Sequence, residues 1–394
     1  CLMSQNSPIT AGPLIIAVGS KIVPWPIQIP SVGKKIEPAD FSKYFDFAFL
    51  ALHGHFGEDG VIQGLLESYN MPYSGSGIFP CAVGINKHLQ KKLMLDAGFD
   101  TPDFNFMTFE NWQKYSQKEK KEKFSAIIEE ISLPFVIKPA NQGSSLGVSV
   151  IEDDNFSQFS RMVEKAFFIQ KIKKDFWANF NEKEKVLFIR DLTDIRSGIG
   201  LPVKINDRDI YHPEQLLVYI ESYFENNDDD LLLYAHDGEH TILFESFIDG
   251  KEFSCIVIQD ENGLPLALPP TEIVKGSEIF DYRSKYLAGL SRKETPINLS
   301  TENIELIRER CQDLFKLFGF NVYARIDGFI TESEKIYLND PNTTSGMLPS
   351  SFFFHQAAEI GLNPSQFLTY LIQTSLKERI RTSINKSNFR DTLS

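Results

Sequence analysis

Oxygen-bearing side chains recur on two neighbouring apolar segments near the end of the chain. Asp327 closes Ala-Arg-Ile-Asp, and Asp340 and Asn342 stand two residues apart on the next segment. Residues 330–336 read as a hairpin turn, and residues i and i+2 of an extended strand share one face, so the three side chains would meet. Three hard oxygen donors are typical of a Mg²⁺ site completed by water and phosphate. Arg325 would face the same phosphates.

A lysine at a strand end and a glycine-rich loop predict a phosphate-binding segment. An apolar strand ends at Lys138-Pro139, and Gly-Ser-Ser-Leu-Gly follows at 143–147. Small residues let N–H groups and hydroxyls surround phosphate oxygens, and the lysine adds a point charge. The segment is not a Walker A motif, because no Gly-Lys-Ser/Thr follows it. A plain Gly/Ser turn is the alternative.

Two other segments each allow a functional and a structural interpretation. Glu245 and Glu252 flank a short connection between two strands, where a carboxylate would accept hydrogen bonds from a ribose or lie on the surface. The polar and aromatic segment 280–287 would bring Lys285 to phosphate and Tyr286 to substrate, or would be a solvated loop.

Two turns would suit the carboxylate of a small substrate. His53 lies in a glycine-rich turn with Glu58, and Ser350 and Ser351 offer hydroxyls and N–H groups. A histidine in a turn is also commonly structural. The order of strand, glycine turn and helix around His53 is typical of an α/β domain with a ligand at the carboxyl ends of its strands.

Composition narrows the class of protein. The chain has 394 residues, 42% hydrophobic and 24% charged, which is typical of a soluble globular protein of two or three domains. A net charge of -13 argues against a nucleic-acid partner. The four cysteines form no CxxC pair and favour reduced thiols in a cytoplasmic protein. Neither a membrane span nor a signal peptide is predicted.

The predicted organisation is α/β in the first part, with strands at 13–18 and 45–52 and a helix at 61–69. Residues 81–130 read as helical, residues 165–240 as an inserted surface subdomain or lid without an assigned chemical role, and 302–318 and 364–378 as helices. The predicted divisions are an N-terminal domain at 1–80, a central domain at 81–258, a C-terminal domain at 259–382 and a disordered tail at 383–394.

Taken in order, these segments resemble the D-alanine–D-alanine ligases of the ATP-grasp superfamily. The resemblance is carried by eight stretches, at 52–67, 72–77, 86–87, 136–139, 143–149, 245–252, 282–286 and 324–346. It implies an α/β fold, α+β in the ATP-grasp part, in which an N-terminal domain precedes two ATP-grasp subdomains. Members usually begin with a Gly-Gly-x-Ser-x-Glu loop, which is not found before His53, so the first domain is expected to be truncated.

The resemblance also implies a role for each candidate residue. ATP would be held by Lys87, Lys138, Ser145, Glu245, Phe247, Ile248, Glu252 and Lys285. Two Mg²⁺ ions, or Mn²⁺ in their place, would be held by Asp327, Asp340 and Asn342. Amino-acid substrates would be bound by His53, Glu58 and Ser351. Catalysis would involve Arg325 and the N–H of Gly346 at the oxyanion, with Ser144, Tyr286 and His53.

The implied function is ATP-dependent ligation of two D-alanines for peptidoglycan precursors, in a cytoplasmic homodimer that binds neither nucleic acid nor membrane. Two alternatives remain at this point. One is an ATP-grasp ligase for other amino or hydroxy acids, and the other is an ATP-Mg-binding fragment without a complete amino-acid site. Asp340 stands where the family usually has the longer glutamate.

Overall fold

The computed structural model describes residues 15–20, 36–143, 145–236, 238–275 and 291–391. The described residues form two compact units: one runs up to Thr101 and resumes at Ile248, and the other is Pro102–Phe247. The mixed helical and strand content agrees with the predicted α/β class. The division at 80 and 258 differs from these packing units and stays a prediction. Within the described ranges, no helix is long and apolar enough to cross a membrane.

Among its described residues, the N-terminal part of the first unit has two parallel strands, a short 3₁₀ helix (Pro38–Lys43) and three α-helices. β1 (Ile15–Ser20) pairs with β2 (Ala48–His53), and the predicted strands and first helix are confirmed to within a few residues. Gly60 caps the first helix with φ +99°, and an added Cβ would lie 2.9 Å from the Ile78 carbonyl oxygen, so this turn requires glycine. The helices are α1 (Val61–Ser68), α2 (Ile78–Ile85) and α3 (Lys87–Asp96).

The second unit begins with a strand where a helix was predicted. Residues 104–108 form β3 because they pair with a later strand, so a tertiary contact overrides the helical reading of 81–130. The order in the sheet is β3-β10-β4-β5, all antiparallel. Its elements are β3 (Phe104–Thr108), α4 (Phe109–Lys114), α5 (Gln117–Ile131), β4 (Phe135–Pro139), β5 (Ser149–Ile151), α6 (Phe156–Ala166) and β10 (Thr241–Ser246).

Between α6 and β10 the chain forms a second small sheet with its own apolar core. This inserted subdomain, residues 168–235, has the strand order β6-β9-β7-β8. Asn181 and Glu184 form a reciprocal capping box at the start of α8, which fixes where that helix begins. Its elements are β6 (Ile169–Ile172), α7 (Lys174–Ala178), α8 (Glu182–Thr193), β7 (Val203–Ile205), β8 (Arg208–Ile210), α9 (Pro213–Asn226) and β9 (Leu231–Ala235).

The C-terminal part of the first unit is a larger antiparallel sheet covered by helices. The strand order is β14-β13-β11-β15-β16, with β12 added to β11. The strands are β11 (Lys251–Gln259), β12 (Pro265–Ala267), β13 (Thr271–Lys275), β14 (Ser291–Glu294), β15 (Tyr323–Ile330) and β16 (Ile336–Asn342). The helices are α10 (Thr301–Leu317), α11 (Phe352–Glu359) and α12 (Pro364–Asp391).

The last helix differs from the prediction of a disordered tail. α12 continues to Asp391, whereas the sequence predicted that order would end near residue 382. The physical reason is that no proline or glycine follows Pro364, so nothing in the chain breaks the helical path. Residues 392–394 lie outside the described part.

Candidate active site

One face of β15 carries polar side chains, because buried and partly exposed residues alternate along the strand from Ala324 onward. Ala324, Ile326 and Gly328 are buried, whereas Arg325 and Asp327, which alternate with them, are partly exposed. The apolar positions pack into the core of the sheet and turn the two charged residues to its other face. The hairpin turn at 330–336 is confirmed, since β15 pairs with β16 in antiparallel register.

A β-bulge reshapes the partner strand at the predicted metal ligands. Asn339 pairs with Asp327 and Asn342 pairs with Arg325, so β16 has two intervening residues where β15 has one. Asp340, the first of the two, has a left-handed φ of +46°. The prediction of a plain extended strand is therefore corrected. Asp340 and Asn342 are both partly exposed, and the Asn342 side-chain amide donates to the Asp340 carbonyl oxygen, which helps to hold the strained residue.

The Asp327 carboxylate is held by three donors. Arg325 binds it with two nitrogens, Nε to Oδ1 at 3.1 Å and Nη2 to Oδ2 at 2.9 Å. Ser254, its register partner on β11, donates from Oγ to Oδ1 at 2.8 Å. Oδ1 therefore accepts two hydrogen bonds, while Oδ2 accepts one and keeps a lone pair for a cation. The donor set is hard oxygen throughout, which fits Mg²⁺.

A second polar cluster in the first unit joins the turn after β2 to the segment after β16. Thr344 Oγ1 lies 3.3 Å from His53 Nδ1 and hydrogen-bonds to Glu58 Oε2. Glu58 is 8% exposed, and its other oxygen accepts the Gly54 N–H at 2.7 Å. Gly54 has φ +78°, which lets the turn fold back onto the carboxylate. Nδ1 is therefore the ring nitrogen of His53 that lies on the side of Thr344 and Glu58.

The ionised form of Glu58 is favoured by its neighbours. Burial by itself raises the pKa of this carboxyl, but hydrogen bonds from His53, Thr344 and the Gly54 amide outweigh it and lower the pKa below the ordinary 4.5. A carboxyl with a lowered folded-state pKa stabilises the fold above its unfolded pKa. This stabilisation is lost as the pH falls through the folded value.

Replacement of Glu58 by glutamine is expected to flatten the acid side of the stability profile. As the pH falls from neutral through 4.5 and then through the lower folded pKa of Glu58, the free energy of unfolding should fall less in Glu58→Gln than in the wild type, because the variant has no carboxyl to protonate at this position. Urea titrations at several pH values would measure this. Glu359→Gln, an exposed residue of α11, is the control and should keep the wild-type slope. Equal slopes in Glu58→Gln and the wild type would contradict the assignment.

The second unit contains a buried ion pair at the predicted phosphate lysine. Lys138 Nζ lies 2.8 Å from Glu245 Oε2, and the two side chains are 5% and 4% exposed. They stand on adjacent strands, since Leu243 of β10 pairs with Lys138 of β4. Taking two charges out of water is unfavourable unless each has a close partner. In this structure each of the two buried charges has the other as a close partner.

Other predicted residues lie at strand and helix ends. Lys87 is the first residue of α3, after the capping residue Asn86. Phe247 and Ile248 are half-buried and follow β10, and Glu252 is buried at the second position of β11.

Two predicted residues follow β16. Ser351 precedes α11, and its buried hydroxyl has no hydrogen-bond partner among the described residues. At Gly346 an added Cβ would meet no described atom within 4 Å, so there is open space beside this residue.

In the phosphate loop, Ser145 has φ +58°. Ser144, Lys285 and Tyr286 lie outside the described residues.

Sequence reasoning missed four residues of these clusters. Asn339 was detectable, because it stands opposite Asp327 once the hairpin register is counted. Thr344, Ser254 and Glu239, a carboxylate beside the phosphate loop, gave no signal in the sequence. They are common residue types whose partners are far away along the chain.

Two descriptions of known protein families match most of the chain. The family description "D-ala D-ala ligase C-terminus" matches residues 93–172 and 223–373, more than half of the chain. "D-ala D-ala ligase N-terminus" matches residues 28–76. The segment 173–222, which separates the two matched parts of the C-terminal description, lies within the inserted subdomain.

Individual D-alanine–D-alanine ligases are also similar to this chain, in sequence or in fold. A D-alanine–D-alanine ligase of Acetivibrio thermocellus is 27% identical over 87% of this chain and 71% of its own length. Among solved structures, the D-alanine–D-alanine ligase of Coxiella burnetii aligns with a TM-score of 0.60 at 19% identity, covering 89% of this chain and 73% of that one. The Bacillus anthracis ligase complexed with ATP aligns at 0.54 and 23% identity, covering 88% and 85%. The expected resemblance and fold class are confirmed.

Proposed function

Because the chain belongs to the D-alanine–D-alanine ligase family, we propose that it joins two D-alanines in an ATP-dependent reaction that serves peptidoglycan synthesis. One observation carries this proposal. His53 and Glu58 lie in the matched segment 28–76, and every other predicted site residue except Lys87 lies in 93–172 or 223–373. The family descriptions therefore match the segments that contain most of the predicted site residues, and they do not match the middle of the inserted subdomain.

The reaction has two displacements. The carboxylate of the first D-alanine attacks the γ-phosphate of ATP, and ADP leaves with formation of an acyl phosphate. The amine of the second D-alanine then attacks the acyl carbon, and phosphate leaves as the peptide bond forms. Water must be kept from the acyl phosphate, because hydrolysis would release phosphate without product.

The family resemblance implies several contacts with the nucleotide. Lys138, paired with Glu245, would place a fixed positive charge at the phosphates. Glu252 would accept hydrogen bonds from the ribose, and Phe247 and Ile248 would lie along the base. The remaining nucleotide contacts are assigned to Lys87, Ser145, Glu245 and Lys285.

Asp327, Asp340 and Asn342 would hold Mg²⁺, or Mn²⁺ in its place, through carboxylate and amide oxygens. Bound there, the cation supplies positive charge that stabilises the transferring phosphoryl group. Arg325 would hold Asp327 in position and share its charge with the oxyanion of the second step. The main-chain N–H of Gly346 would donate to the same oxyanion.

The amino-acid substrates are assigned to the His53 cluster and to the segment after β16. His53, oriented by Glu58 and Thr344, would bind the carboxylate of one D-alanine. Ser351 would bind the carboxylate of the other, which would give its buried hydroxyl a partner. Ser144 and Tyr286 are assigned to closure of loops over the substrates.

We further propose that the protein works as a cytoplasmic homodimer, as the family resemblance suggests. The three-domain division also remains part of this proposal. Sedimentation equilibrium would measure the mass, and a purely monomeric active enzyme would contradict the dimer.

A substrate screen tests the proposed function. Phosphate release from ATP is expected only when D-alanine and Mg²⁺ are both present, because the first carboxylate must be bound before the phosphoryl group moves. L-alanine, D-serine and D-lactate, each alone, are the comparison substrates, and EDTA should stop the reaction. Equal release with L-alanine, or none with D-alanine, would reject D-alanine ligation.

A further inference from the structure

The inserted subdomain has a core that reaches a residue outside it. Buried side chains from its sheet and helices, among them Ile172, Val203 and Leu216, form one apolar cluster. Leu146, in the Gly-Ser-Ser-Leu-Gly loop, packs against this cluster. It lies 22 residues before the start of the subdomain at Phe168, so the contact is tertiary. The predicted phosphate loop thus rests on the insertion.

At its end, the same loop packs closely against Pro139 and Ala166. Gly147 has φ +71°, and an added Cβ would lie 2.8 Å from Pro139 Cγ and 3.4 Å from Ala166 Cα. The Leu146 N–H donates to the Gly143 carbonyl at 3.2 Å, which closes the loop as a turn. A shift of Leu146 would therefore also disturb its hydrogen bond to Gly143 and the close packing of Gly147.

A buried carboxylate ties the start of the loop to the chain that leaves the insertion. Glu239 is 4% exposed and lies between the subdomain and β10. It accepts both the main-chain and the side-chain N–H of Asn141, each at 2.8 Å. It also accepts the main-chain N–H groups of His240 at 3.0 Å and Thr241 at 3.3 Å. Four donors on one buried carboxylate fix the loop to the segment that follows the insertion.

We propose that the inserted subdomain sets the position of the phosphate loop, with Leu146 and Glu239 as positioning residues. The inference rests on the proposed function, which assigns this loop to the phosphates of ATP. Main-chain N–H groups bind a phosphate well only when they are held close to the productive geometry. The insertion would therefore control both the affinity for ATP and the exclusion of water from the acyl phosphate.

Two substitutions test the two contacts. Leu146→Ala removes the side chain that packs on the insertion. Glu239→Gln keeps the size of the side chain but turns one acceptor into a donor that faces other donors. For each, the KM for ATP is expected to rise on the order of tenfold, a common size for coupling between sites, while the KM for D-alanine stays near the wild-type value. More than one phosphate should be released per dipeptide formed.

Matched variants separate positioning from general loss of stability. Leu217→Ala removes a side chain that packs on the same core from α9, and Glu221→Gln changes a carboxylate on that helix. Both should leave the KM for ATP unchanged. Binding of a fluorescent ATP analogue without D-alanine gives a readout that does not depend on turnover. If Glu239→Gln fails to fold, Asn141→Ala removes one donor without changing a buried charge and should weaken binding of the analogue severalfold.

The outcomes are distinct. If the wild type shows no D-alanine-dependent turnover, the proposed function fails. If the wild type is active and Leu146→Ala and Asn141→Ala bind the analogue and couple phosphate to dipeptide as the control variants do, the role of the insertion is rejected and the proposed function stands.

Discussion

Asp327→Asn will reduce turnover roughly a thousandfold or more, because ligands that hold charge at a transferring phosphoryl group are worth several kcal/mol. The substitution preserves the size of the side chain and one acceptor oxygen, but it replaces the other oxygen by an N–H donor and removes the negative charge. Affinity for Mn²⁺, measured by electron paramagnetic resonance with ATP present, should fall with the activity. The substitution therefore tests the charge rather than the fold of the sheet.

Asp313→Asn is the matched control. Asp313 is an exposed residue of α10 that pairs with Lys316 on the same helix, so its loss should leave turnover and Mn²⁺ binding unchanged. Near-normal turnover in Asp327→Asn, with Mn²⁺ binding intact, would refute the assignment of Asp327 as a metal ligand.

Lys138→Met will lower the free energy of unfolding by about 3–5 kcal/mol and abolish ATP-dependent turnover, since the substitution removes the cation that lies 2.8 Å from a buried carboxylate. Lys138 and Glu245 are both nearly inaccessible, so water cannot replace the lost contact. Urea unfolding monitored by fluorescence and by circular dichroism would measure the loss, and the second unit should unfold first. Lys114→Met breaks an exposed pair with Glu110 in the same unit and should cost less than ~1 kcal/mol.

A double substitution separates stability from function at this pair. Lys138→Met combined with Glu245→Leu replaces both charges by apolar groups, and most of the lost stability should return. ATP binding should not return, because the positive charge that is proposed to bind the phosphates is still absent. Recovery of turnover in the double variant would show that the pair is structural.

The sequence was informative wherever local pattern decides structure. The strict alternation around Arg325 and Asp327 gave their common face, and the polar turn at 330–336 gave the hairpin. The strand, glycine turn and helix from 45 to 69 were likewise predictable, because Gly60 needs a backbone that other residues resist. These features depend on neighbours a few residues apart.

Sequence patterns did not predict the features that depend on contacts between distant segments of the chain. A residue before proline normally avoids helical conformations and is extended, yet Asp340, which precedes Pro341, adopts φ +46° because the ladder with β15 forces a bulge. The role of Thr344 depends on Glu58, 286 residues earlier in the chain. β3 was missed because its partner β10 lies more than 130 residues later. The contact of Leu146 with the inserted subdomain likewise joins segments that are separated in the sequence.

The most direct test of the account follows the oxygen atoms of D-alanine. Purified protein would be incubated with ATP, Mg²⁺ and D-alanine labelled with ¹⁸O in both carboxylate positions, and the products would be analysed by mass spectrometry. Ligation through an acyl phosphate should give ADP rather than AMP, one ¹⁸O in each phosphate released, and an equal amount of D-alanyl-D-alanine. Unlabelled phosphate, AMP as the nucleotide product, or phosphate release without any dipeptide would contradict ligation through an acyl phosphate.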